Sequence, residues 1–265
     1  MDIYKVYGSF YSLSVELRKR KQSTRRKRLF CMPNVRQQQL FRRLAIHHLP
    51  LLAASSLAFT LLYITRPFRD PITRASFASA YPALILMAIT LWIGPWNIFR
   101  RQRTPVSSDL RRDIGIWAGI LGVAHTIVGL NVHLRGHPWL YFFYRKSEGP
   151  HWLPFRHDLF GFANYTGLAA IIVLVLLFAT SNDAALRKLG TPGWKKLQRW
   201  NYPLFALAIA HALGYQLGVE SQHVPWVALV IVCAIITLFL QLAGYWMRRR
   251  QKTMSSQKSG VTISI

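Results

Sequence analysis

At 265 residues, with 52% hydrophobic side chains and a formal net charge of +25 from 34 basic and nine acidic residues, the chain fits neither an ordinary soluble domain nor a disordered one. Its cations are confined to tails and loops, leaving long runs free of Lys, Arg, Asp and Glu, which is the pattern of an integral membrane protein. The two cysteines, Cys31 in a basic stretch and Cys233 in an apolar run, form no CxxC pair, which excludes a disulfide framework and cysteine-based metal or redox chemistry.

Residues 1–43 are polar and basic, without steady periodicity, and are expected to form a cytoplasmic tail of low order. The stretch Arg18 to Arg28 (RKRKQSTRRKR), taken alone, resembles a nucleic-acid-binding arm. Beside membrane spans, however, such cations set topology and touch anionic lipid headgroups, so lipid is the expected partner and nucleic acid is not. No apolar signal-peptide core follows the N-terminal charges before Leu49, and Met32 is an alternative start.

Six apolar runs follow: His48 to Thr65, Ser79 to Trp96, Ile114 to Val132, Leu159 to Ala179, Tyr202 to Gly218 and Val224 to Met247. They predict an all-α fold, a six-helix transmembrane bundle over residues 44–250, with a second tail at 251–265. Basic residues crowd the first tail, the 2–3 loop (Arg100, Arg101, Arg103, Arg111, Arg112), the 4–5 loop (Arg187, Lys188, Lys195, Lys196, Arg199) and the end (Arg248, Arg249, Arg250). The 5–6 loop has none. The positive-inside rule then places both termini in the cytoplasm and the bundle in the inner (plasma) membrane. No GxxxG pair stands out as a dimer face.

Two of the runs share one design. His125 follows Arg112 by 13 residues and His211 follows Arg199 by 12. At ~1.5 Å per residue, both imidazoles lie ~18–20 Å into the membrane, level with each other on helices that run outward. Two level imidazoles in a dry bundle suit bis-His axial ligation of a haem iron. The alternative is a pair of intramembrane histidines that hydrogen-bond neighbouring helices or mark a proton path.

Between the third and fourth runs, residues 131–158 form the largest external loop, rich in His and aromatic side chains. Its His133, His137, His151 and His157 are not at HxxxH or HExxH spacing, so the loop reads as an interfacial cap over the bundle, with a docking or metal-reducing surface as the alternative. His47, His48 and His223 read as interfacial residues without a ligand role.

The order of these features resembles the ferric-reductase-like transmembrane family, which includes NADPH oxidases, yeast ferric reductases and six-span metalloreductases. The resemblance rests on Leu110-Arg111-Arg112 with Gly115, on Ala124-His125-Thr126-Ile127, and on Thr180-Ser181, Arg187, Leu189-Gly190, Trp194, Leu197 and Tyr202-Pro203 leading to His211. Within the family it is most similar to the haem-binding membrane subunit of the bacterial protein-methionine-sulfoxide reductase system. The resemblance implies haem b held by His125 and His211. Two-haem members carry a second pair of histidines further in. Here those positions hold Arg111 and Gln198, which makes one outer haem the economical reading.

The resemblance also implies that something bridges the inner half of the membrane. Arg111 and Gln198 could supply hydrogen-bond donors to FMN, FAD or a quinone there, as a flavin does in the one-haem metalloreductases. Alternatively, Arg111 supports a second haem or completes the basic girdle. No GxGxxG fingerprint appears, so a separate flavoprotein or quinol is the expected donor. The expected role is that of an oxidoreductase subunit passing electrons to an extracytoplasmic acceptor such as a periplasmic reductase. A self-contained reductase of ferric or cupric ions and a haem-free proton or metal transporter are the alternatives. Against transport, the third and fifth runs lack the carboxylates and broken helices of transport sites.

Overall fold

A computed structural model of the chain describes residues 33–66, 68, 70–100, 107–134, 137–145, 152–218 and 224–261. The first basic cluster, Cys31, Met32, His151 and His223 lie outside the described residues. Eight α-helices are formed among those described.

An N-terminal unit ends at Pro50. It contains α1, Pro33–Arg43, which runs into a π-helical turn, Leu44–His48, with no buried residue. The end of the first tail is therefore helical.

The second unit, from Leu51, holds the helical bundle. Most of α2 (Leu49–Thr65) belongs to it, and Ser55 is the buried residue of that helix. Next comes α3, Pro71–Phe99, longer than its apolar run suggests. Its start is set by Asp70, whose side chain accepts from the Thr73 backbone N–H at 2.9 Å and from the Thr73 hydroxyl at 2.8 Å, with Pro71 in the first turn. Pro82 and Pro95 sit inside α3. Membrane helices tolerate such breaks because neighbouring groups take over the freed backbone atoms.

α4 (Ser107–Gly129), α7 (Asn201–Gly218) and α8 (Val224–Val261) pack with α3, and α5 (Leu159–Ala179) packs with α4 and α7. The principal pairings are α3 with α4 and α8, and α5 with α7. One apolar cluster gathers Phe77, Tyr81, Leu84, Ala88, Leu91, Phe205 and Val230, and a second gathers Leu174, Leu177 and Leu204. Polar ties fix the register of these helices: Trp92 Nε1 donates to Thr237 Oγ1 at 2.8 Å, Gln241 Nε2 to the Leu91 carbonyl at 2.7 Å, and Gln216 Nε2 to the Tyr81 hydroxyl at 2.7 Å. Where water is absent, each such group needs a protein partner.

Among the described residues four helices are long and apolar enough to cross a membrane: Leu40–Thr65, Pro71–Phe99, Leu159–Ala179 and Val224–Gln251. The two histidine-bearing helices are not among them. Their polar residues explain this, since α4 carries Arg111, Arg112, Asp113 and His125, and α7 carries Asn201, His211 and Gln216.

Two expectations change. The 4–5 loop is largely helix α6, Asp183–Gln198, amphipathic and without a buried residue. Asn182 caps it by accepting from the Ala185 N–H at 2.8 Å, and Gly190 (φ 66°) kinks it in a conformation that a side chain would strain. α8 also continues into the second tail as far as Val261.

Candidate functional site

α5 and α7 approach closely because small residues line their contact. A Cβ built on Gly214 would lie 2.9 Å from the Ala163 Cβ, and one on Gly167 would lie 2.6 Å from His211 Nδ1. Gly214 and Gly218 thus form a GxxxG pair that faces α5 of the same chain, at Ala163 and Leu159.

This approach brings His211 onto backbone. Its Nδ1 lies 2.7 Å from the Ala163 carbonyl. On α4, His125 Nδ1 lies 3.0 Å from the Ser76 carbonyl and 3.4 Å from the Ser76 hydroxyl. A carbonyl oxygen only accepts, so both Nδ1 atoms carry the proton and both Nε2 atoms are left with a free lone pair. The two rings, from different helices, stand 6.0 Å apart between centroids with their planes at 72°.

Both histidines border a cavity of ≈ 520 Å³ walled by α3, α4, α5 and α7. Its lining is mainly apolar, with Phe77, Leu84, Met87 and Leu174 among the contributors, and it extends to Trp139 and Tyr141 in the loop between α4 and α5. Among the described residues no group of three His, Cys, Asp or Glu side chains could hold a metal ion. A bare zinc site needs three or four protein ligands. Two neutral imidazoles beside a roomy apolar slot instead suit a metal that brings its own equatorial ligands, as in haem.

The loop between α4 and α5 closes one end of the cavity. Its Pro138–Tyr141 segment is a 3₁₀ turn, and Phe143 and Phe155 form an isolated antiparallel bridge. Tyr141, 1% exposed, is the bolt. Its hydroxyl accepts from the His133 N–H at 3.0 Å and the Leu134 N–H at 3.3 Å, and donates to the Gly129 carbonyl at 3.1 Å. Arg156 Nη2 donates to Asp158 at 2.8 Å, and Asp158 caps α5 by accepting from the Gly161 N–H at 2.7 Å. Burial pushes the Asp158 carboxyl up, but Arg156 and the Gly161 N–H outweigh this and hold it below its usual value. Partial burial lowers the pKa of His133, which stacks on Tyr215.

Near the start of α4, burial pulls the Arg111 pKa down, opposed by the charge interaction with Tyr202 at the start of α7. The Gln198 amide nitrogen is buried and has no hydrogen-bond partner among the described residues. The His125 and His211 rings meet face to edge, with centroids 6.0 Å apart. Arg112 holds α6 in place through Asp183 at 2.5 Å, and Trp194 Nε1 donates to the Thr180 carbonyl at 3.1 Å. Leu204, seven residues before His211, packs with Leu174, Leu177, Leu197 and Met87.

Sequence reading singled out neither the two carbonyl acceptors nor Gly167 and Tyr215. Gly167 had one usable signal, a small residue in an otherwise bulky apolar run.

Residues 49–209 match the family model described as the ferric reductase like transmembrane component. Among curated proteins, the chain is similar to the protein-methionine-sulfoxide reductase heme-binding subunit MsrQ of Deinococcus radiodurans, at 26% identity over 63% of this chain and 73% of the relative. The MsrQ proteins of Bordetella pertussis (26% identity, 68% of this chain, 79% of the relative) and Polaromonas naphthalenivorans (22%, 67% and 74%) are similar as well. No solved structure matches the chain at a significant level.

Proposed function

Because the chain belongs to the ferric-reductase-like transmembrane family, we propose that it is a haem-binding membrane subunit that carries electrons from the cytoplasmic side to an acceptor outside. The observation that carries this reading is the pairing of His125 and His211, each with its Nδ1 proton committed to a backbone carbonyl and its Nε2 free. Bound haem b would supply a one-electron Fe(III)/Fe(II) couple. The chain's own contribution is position. Ser76 and Ala163 fix the tautomer and orientation of the two ligands, Gly167 leaves room for the His211 ring, and the apolar wall keeps water away.

Six spans with both termini in the cytoplasm fit this role, since α4 and α7 then both run outward in the inner membrane. A single haem is supported by the leucine cluster around Leu204, which occupies the level between His211 and the inner end. The buried donors of Arg111 and Gln198 suit a flavin or quinone that bridges the remaining distance. The donor is a flavoprotein or quinol, and the acceptor is a periplasmic reductase, by analogy with the subunit named in the relatives. The outward extension of the cavity to Trp139 also favours a second reading, direct reduction of ferric or cupric ions at the external loop.

The test uses proteoliposomes with the outer face exposed, a reduced flavin inside and an impermeant ferric chelate or cytochrome outside. Transfer that requires both His125 and His211 is expected. Transfer that persists in His125→Ala and His211→Ala would overturn the assignment. A faster rate with the chelate than with any protein acceptor would favour the second reading.

A further inference from the structure

We propose that Tyr215 and His133 form the outward electron path from the His125–His211 centre to the external face, a reading that rests on the haem assignment above. Tyr215 follows His211 by about one turn on α7, and the two ring centroids lie 5.1 Å apart. On the other side His133 stacks on Tyr215 at 5.8 Å, with the planes only 21° apart. His133 is exposed. Two ring contacts therefore join a half-buried ligand to the outer surface, and both rings also line the cavity itself.

The rings are held in place as well as in contact. The Tyr215 hydroxyl donates to Asn164 Oδ1 at 2.7 Å, and Asn164, 8% exposed, in turn donates to the Phe160 carbonyl at 2.8 Å. The Phe160 ring meets both members edge-on, at 5.8 Å from His133 and 6.0 Å from Tyr215. The His133 backbone is tied to Tyr141. A leucine at 215 would provide neither the π-surface nor the hydroxyl that anchors the ring to Asn164.

In the step proposed, one electron leaves the reduced centre and reaches a one-electron oxidant docked beside His133. The iron is oxidised and the external oxidant is reduced. No covalent bond forms or breaks, no proton is transferred, and the phenol and imidazole serve as coupling media that end unchanged.

The test is stopped-flow re-oxidation of dithionite-reduced, haem-loaded protein by ferricyanide, for wild type, Tyr215→Leu, Tyr215→Phe and His133→Leu. Both leucine variants are expected to slow re-oxidation severalfold per bound haem, by more than any measured shift in midpoint potential accounts for. Tyr215→Phe keeps the ring and is expected to stay near the wild-type rate. Wild-type rates in the leucine variants would overturn the path, and so would a slowing fully explained by a shifted potential. His133→Leu lies in the external loop and decides the matter if Tyr215→Leu does not fold. A wild-type protein without haem fails differently, because it removes the functional assignment first and the path with it.

Discussion

Gly167 and His211 approach so closely that a Cβ on Gly167 would lie 2.6 Å from the imidazole Nδ1, the atom that donates to the Ala163 carbonyl. Gly167→Ala is therefore expected to push the His211 ring off its acceptor. Overpacking of this kind costs about 1–3 kcal/mol. Reduced haem occupancy together with a lowered thermal midpoint in detergent is the expected result, and unchanged loading would show that the ring has room to move.

Tyr141 carries three hydrogen bonds through one hydroxyl, so Tyr141→Phe strands the N–H groups of His133 and Leu134, while the Gly129 carbonyl keeps the Val132 N–H. Leaving buried polar groups unpaired costs about 1–3 kcal/mol. Faster proteolysis or hydrogen exchange over residues 131–145 is expected, with the haem spectrum little altered.

The Asp158 carboxyl titrates below its usual value in the folded protein. A depressed acid contributes stability that is fully present above the unfolded-state value, about pH 3.9, and is lost as pH falls through the lower folded value. Acid is thus expected to loosen the cap by releasing Asp158 from Arg156 and from the start of α5. Asp158→Asn should flatten that acid limb in a pH series of thermal unfolding, while an unchanged limb would place the sensitivity elsewhere.

Gln198→His restores a histidine at the inner position but leaves Leu204, Leu177 and Leu174 packed together nearby. The haem stoichiometry of this variant is expected to stay at one per chain. A second haem, seen in a pyridine haemochrome assay, would show that ligand identity alone limits the inner site.

The level of His125 and His211 was legible because a helix rises by a fixed amount per residue, so counting from Arg112 and Arg199 locates both rings. Their orientation was not. The acceptors are the carbonyls of Ser76 and Ala163, and backbone groups leave no mark on residue identity. The polar and basic composition of α6, with Gly190 and Pro192 inside it, suggests a loop, whereas its amphipathic face and its Asn182 cap are the signals of a helix. The early start of α3 was written in Asp70 and Pro71, a cap and a first-turn proline placed well before the apolar run begins. The GxxxG pair in GYQLG was overlooked because such pairs suggest contacts between chains, and here it serves α5 of the same chain.

The central claim is that His125 and His211 hold one haem between them. Reduced-minus-oxidised spectra with pyridine haemochrome stoichiometry, on protein expressed with haem supplied, test it most directly. One low-spin b-type haem per chain, lost in both His125→Ala and His211→Ala, is the predicted result. A folded wild-type protein that binds no haem, or a haem that survives either substitution with its low-spin spectrum intact, would contradict the claim.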